Sequence, residues 1–155
     1  MISTLLTHKQ EDHAMTETIT KKASIMIFHD ELCQVFNGLM TAISLQRAGA
    51  EVTVFFGSRG INAVHKVKVN QLKCLPDQPE EEQKKVTARM EAMNLPTPED
   101  MLLMLHMEGA RLLACPLNKN VFEFRDDDFV EGVVLADPAT YYTDIVMRAD
   151  MNLVF

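Results

Sequence analysis

The residues best suited to chemistry in this chain are three cysteines, with an arginine and a histidine set in short loops. Cys115 stands in LLACPLNK, residues 112–119, between an apolar run and Pro116. Proline disfavours helical geometry in the residue before it, so Cys115 is expected to be extended. Proline itself suits the first position of a helix, where its missing N–H would have had no partner. Cys115 is therefore expected at the N-cap of a short helix. There its sulfur would face the free amides of Leu117 and Asn118 and the positive end of the helix dipole. Lys119 adds a nearby cation. Both effects favour thiolate, which is the nucleophilic form. Packing is the competing reading, because cysteine is among the most buried residue types and Leu113 and Leu117 flank this one.

Cys33 falls in the first turn of the first predicted helix and is a candidate second, resolving thiol, with helix packing as its rival. Cys74 lies in a charged loop and reads as incidental. An odd, sparse set of cysteines argues against a disulfide framework and toward a reducing, cytoplasmic setting. No cysteine pair has metal-ligand spacing and the five histidines are scattered, so no metal is expected. Arg59, between Gly57 and Gly60, is a candidate anion holder, against the commoner case of a solvated loop arginine. His29 opens the turn His29-Asp30-Glu31 after the first predicted strand. Met90, Met93, Met101, Met104 and Met107 would line an adaptable partner surface or fill a core.

These side chains need elements to position them. ASIMIFHD, residues 23–30, reads as a strand buried on both faces. A helix follows, with Leu32, Val35, Phe36, Leu39, Met40 and Ile43 at three- and four-residue intervals, Asp30 as N-cap and Gly49 as stop. EVTVFF is a second strand, and residues 61–66 start a shorter helix. Residues 67–100 mix charge, proline and methionine, and read as an insertion. It carries one helix near 84–93 and leads into another at 99–108, with Thr97 as N-cap and Pro98 first. RLLAC is the third core strand, PLNKNVFEF a short helix, VVLA a brief strand, 138–149 a helix capped by Asp137, and MNLVF a last strand. Alternating strands and helices give an α/β sandwich with a mostly parallel sheet, its order expected to start 2-1-3. In such sheets ligands bind beyond the carboxyl ends of the strands, which gathers His29, Arg59 and Cys115 into one candidate region.

The totals set limits. The chain has 155 residues, 47% of them hydrophobic, which suits one domain able to bury about two thirds of its unfolded surface. Residues 1–22 read as a mobile tail and 23–155 as a single domain. A net charge of −7 and a pI near 5.2 oppose nucleic-acid binding and docking on anionic membranes. No stretch approaches a membrane span of about 20 apolar residues. Phosphate-loop, dinucleotide and nucleophile-elbow glycine motifs are absent, as is C-x-x-C.

Four stretches resemble the DsrE/DsrF-like family of small sulfur-trafficking proteins, most closely its subgroup with a long insertion before the cysteine strand. They are residues 23–62, the Met-rich insertion, GARLLACPLNKNVFEF, and the ending DPATYYTDIVMRADMNLVF. Pro116-Leu117-Asn118 stands where the subgroup often has a Ser/Met-rich stretch, and Asp137-Pro138 where many members have glycines. The resemblance implies a flavodoxin-like three-layer sandwich with a mostly parallel sheet of about five strands, assembled as a homotrimer or homohexamer. It places the family's reactive cysteine at Cys115. It implies a sulfur carrier or sulfurtransferase that holds sulfane sulfur there as persulfide or thiosulfonate and passes it to a TusA-like carrier or a rhodanese-type protein. Such exchange needs thiolate and access, and no cofactor. The alternative is a non-enzymatic oligomeric binding module with a buried, structural Cys115. A nucleotide or flavin binder rests on fold analogy alone.

Overall fold

The computed structural model describes residues 20–155, so the expected N-terminal tail lies outside the described residues up to position 19. Five strands form one sheet: β1 (Lys22–Ile27), β2 (Glu51–Phe56), β3 (Arg111–Ala114), β4 (Val133–Leu135) and β5 (Met151–Val154). Its order is β4-β3-β2-β1-β5, with every pairing parallel. The fold is the expected flavodoxin-like α/β sandwich, but the expected 2-1-3 start is corrected, because β3 lies beside β2 and β5 takes the other flank of β1.

Helix packing explains that order. Right-handed crossovers that step in one direction across a parallel sheet place their helices on one face. The helices α1 (Leu32–Arg47) and α3 (Pro98–Met107) do share a face. Val35, Leu39, Ala42 and Ile43 of α1 meet Met101, Leu102 and Leu105 of α3 over Ile25, Val54, Phe56 and Leu112. An Arg47–Glu108 ion pair at 2.7 Å and a bond from Gln46 Nε2 to the Glu108 carbonyl tie the two helices at the rim. A β3 placed beside β1 would send α3 to the opposite face. The return from β4 to β5 runs the other way, and α5 (Pro138–Asp144) accordingly covers the other face.

Local chemistry accounts for the element ends. Gly49 follows α1 with φ at 93°, a left-handed conformation that glycine adopts without penalty. Thr97 caps α3 as expected, inside a reciprocal capping box with Asp100. Asp30 does not cap α1. Glu31 holds that position without a side-chain bond, because Asp30 is turned toward Arg59 and Asn62. The helix α2 (Glu80–Ala92) starts about a turn earlier than expected, with Glu80, Glu81 and Glu82 favouring the positive end of its dipole. The helix expected at 138–149 stops at Asp144 and resumes as a 3₁₀ turn at Val146–Arg148; the Thr143 hydroxyl meanwhile donates back to the Thr140 carbonyl. The expected helix at 61–66 is a 3₁₀ turn, Ser58–Val64, with a second at Lys68–Gln71. The remaining helix, α4 (Pro116–Val121), bridges β3 to β4.

Candidate functional site

Strand alternation decides where the cysteine side chain goes. Leu112 and Ala114 point into the α1/α3 core, so Leu113 and Cys115 point to the face under α5. Cys115 is the N-cap of α4, in extended geometry ahead of Pro116. Its amide donates to the Phe56 carbonyl at 3.0 Å, which sets it beside the turn after β2. The sulfur makes no capping hydrogen bond, and the residue is 4% exposed. It packs with Met26, Phe55 and Tyr141, with Phe28, Leu113, Ile145 and Val146 around them. Cys115 is the free cysteine among the described residues.

Tyr141 is the cover of this site, and sequence reading did not single it out. Its ring stacks on Phe55 with centroids 4.2 Å apart and planes 12° from parallel. Its hydroxyl shares a hydrogen bond with Ser24, a buried polar residue in the middle of β1. Burial pushes its phenol up to about 12, and the Ser24 bond only partly opposes that shift. The available signal was Ser24 itself: a hydroxyl inside an otherwise apolar strand calls for a partner on the covering helix.

The other expected site residues divide into two groups. Asn118 belongs with Cys115: its Oδ1 accepts from the Ser58 N–H at 2.8 Å and fastens α4 to the turn after β2. Ser58 has φ at 49°, a conformation uncommon for a residue with a side chain, and the Asn118 bond holds it there. Leu117 is 65% exposed next to the cysteine. Lys119 is not a free cation beside the sulfur, because its ammonium pairs with Asp126 at 2.5 Å.

His29 and Arg59 form the second group: His29 follows β1, about 10 Å or two strand spacings from the end of β3, and Arg59, in the turn after β2, is engaged with the carboxylates beside His29. Arg59 meets Glu31 at 2.9 Å and Asp30 at 3.5 Å, and His29 faces Glu31 at 3.5 Å. Arg59 is thus occupied by carboxylates instead of standing ready for an anion. A backbone hydrogen bond at Glu31 holds its carboxyl below the usual range against the effect of burial, and Arg59 and His29 lower it further. Gly60 lets the turn cross directly over β1, since a Cβ there would overlap the Ile27 carbonyl. A cleft of about 290 Å³ opens beside this network, lined by Asp30, Arg59, Asn62, Lys68, Gln71 and Lys73 among others. Among the described residues no group of three or more His, Cys, Asp and Glu side chains is arranged to hold a metal.

Cys33 pairs with neither group. It is joined by a disulfide to Cys74, with Cα atoms 5.1 Å apart, so Cys74 is not incidental. Cys33, in the first turn of α1, and Cys74, in the loop before α2, stand 41 residues apart, a pairing that spacing alone does not reveal. The methionines divide as well: Met101 is fully buried and Met104 packs against the core, while Met93 and Met107 are exposed.

The model of the DsrE/DsrF/DrsH-like family matches residues 77–154, half of the chain, from α2 through β5 and including Cys115. The chain belongs to that family. Members of the DsrE/DsrF/DrsH-like family generally work in sulfur relay with carrier proteins. Among solved structures the chain is similar to the YchN protein of E. coli, with a TM-score of 0.63 and 16% identity over 88% of this chain and 100% of that one. At that identity the likeness concerns the fold. No curated protein matches the sequence. Among the described residues no helix is long and apolar enough to cross a membrane.

Proposed function

We propose that this chain is a sulfur carrier whose working group is Cys115. Support comes from one observation above others: a free cysteine ends β3 at the mouth of α4, inside the segment that matches the family. In the proposed cycle the Cys115 thiolate attacks a sulfane sulfur of a polysulfide. A Cys–S–S bond forms, the S–S bond of the donor breaks, and its electron pair leaves with the shortened polysulfide. A partner thiolate then attacks the outer sulfur, and Cys115 departs as thiolate. From tetrathionate the same thiolate takes an S–SO3⁻ group while thiosulfate leaves, and a partner thiolate then attacks the sulfane sulfur of that group as Cys115 departs. No metal or organic cofactor enters either step.

The receiving thiol is that of a TusA-like carrier or a rhodanese-type protein, and the setting is the cytoplasm, where a free thiol persists. The working form is a homotrimer or homohexamer. Apolar exposure supports that: Val134 and Val154, on the Cys115 face at the two sheet edges, are each 60% exposed. Leu117 and Met147 add to the uncovered apolar surface.

Burial of Cys115 favours a second reading, a binding module in which the thiol only packs. The two are separated by incubating the chain with polysulfide and taking an intact mass, beside the C115S variant. The carrier reading expects added sulfur on the native chain that C115S lacks. An unmodified native Cys115, labelled by a thiol reagent only after denaturation, sinks the carrier and leaves the binding module.

A further inference from the structure

The Cys33–Cys74 pair has no part in the Cys115 site, and its surroundings suggest a use. Cys33 sits on the surface in the first turn of α1, and Cys74 is half-buried opposite it. Their 5.1 Å Cα separation falls within the span a disulfide bridges. Buried structural disulfides resist reduction, whereas accessible ones are the labile and regulatory kind.

The bond also fastens a segment that holds on weakly elsewhere. Gln83 is the buried residue of α2, and the rest of that helix is exposed or half-exposed. One further tie to α1 sits beside Cys74, where the Leu32 N–H donates to the Lys73 carbonyl, and within the segment the Leu75 N–H donates to Gln83 Oε1, each at 2.9 Å. Under α2 lies a cleft of about 230 Å³, walled by Leu32, Val69, Leu72, Met90, Leu95 and Pro98 among others. The disulfide therefore closes the near end of a flap whose underside is apolar in part, with Asn70, Thr87 and Glu91 among its lining.

We propose that Cys33 and Cys74 form a second redox site, one that exchanges with small thiols and disulfides of the glutathione class. Oxidised, it pins residues 72–96 to the start of α1; reduced, it releases them. Oxidation begins when the exposed Cys33 thiolate attacks one sulfur of a small disulfide and expels one thiolate. The Cys74 thiolate then attacks the Cys33 sulfur and expels the second. The protein loses two electrons and two thiol protons, and the small disulfide becomes two thiols. Reduction is the reverse, with two small thiols consumed. This site stands whether or not Cys115 carries sulfur.

The test equilibrates the full chain in glutathione buffers of graded ratio, then counts alkylated thiols by intact mass and follows amide exchange by mass spectrometry. Two alkylatable thiols are expected to disappear together as the buffer becomes oxidising, in the native chain and in C115S alike. On reduction, exchange in 72–96 is expected to quicken about tenfold or more while β1 to β3 stay unchanged. C33S and C74S should each show the fast exchange in every buffer. Two thiols that stay alkylatable in the most oxidising buffer would overturn the proposal. So would a disulfide that forms without any change in exchange over 72–96.

Discussion

The two faces of the sheet are built on different terms. Under α1 and α3 the contact is apolar, and Ile25, Val54, Phe56, Leu39 and Leu105 have no exposed surface. Under α5 the cover is a seven-residue helix, and the buried set mixes Met26, Phe55 and Cys115 with the hydroxyls of Ser24 and Tyr141. The first face holds the fold together by burial, which is non-directional and large. The second holds the Tyr141 ring in the cluster around Cys115 through a stack on Phe55 and a hydrogen bond to Ser24, which are directional and small. A site that must open is better placed under the second kind of cover, because local opening draws on the weaker contacts.

Substitutions on the two faces test that contrast. Leu39→Ala removes a fully buried side chain from the α1 face and is expected to cost about 2–5 kcal/mol, read as a fall in the urea midpoint with the slope unchanged. A cost as small as that of a surface change would mean the α1 face is not the stabilising one.

On the α5 face, Tyr141→Phe keeps the stack but strands the buried Ser24 hydroxyl, for about 1–3 kcal/mol. Adding Ser24→Ala removes both polar partners and should recover part of that loss; fully additive costs would show that the hydrogen bond is not what matters there. The same phenol makes a pH prediction. Its folded value is raised, so its contribution to stability is complete below its ordinary 10.0 and is lost as pH climbs through about 12. Melting temperatures between those limits should fall more steeply for the native chain than for Tyr141→Phe, and identical profiles would remove Tyr141 from the account.

The smallest effect is expected away from both faces. Thr97→Ala breaks the capping box of α3 for about 0.5–2 kcal/mol, with no change in the rate at which Cys115 is labelled. A change in that rate would mean the two faces are coupled through α3.

Several local features were legible from residue types alone. The apolar runs of β1 and β2, the Thr97-Pro98 start of α3, the Gly49 stop and the Cys115-Pro116 junction each depend on neighbours in sequence, and each stands where expected. The site as a group was less legible. His29, Arg59 and Cys115 all lie at the carboxyl edge, yet β2 separates His29 from Cys115, because β3 pairs with β2 and not with β1, and Arg59 is taken up by Asp30 and Glu31. Lys119 and Arg59 looked like free cations until Asp126, Asp30 and Glu31 were found beside them.

Sequence by itself determined which segments become the strands and the main helices, a few of their ends such as Thr97-Pro98 and Gly49, and that a cysteine closes a core strand ahead of a helix. These follow from periodicity and from the backbone limits of proline and glycine, which act over a few residues. Only the tertiary structure decided which strands are neighbours, that Tyr141 and Cys115 share one buried cluster, and that Cys33 meets Cys74 across 41 positions. Those contacts depend on which face each helix buries, a choice made by packing among distant segments and not by any one of them.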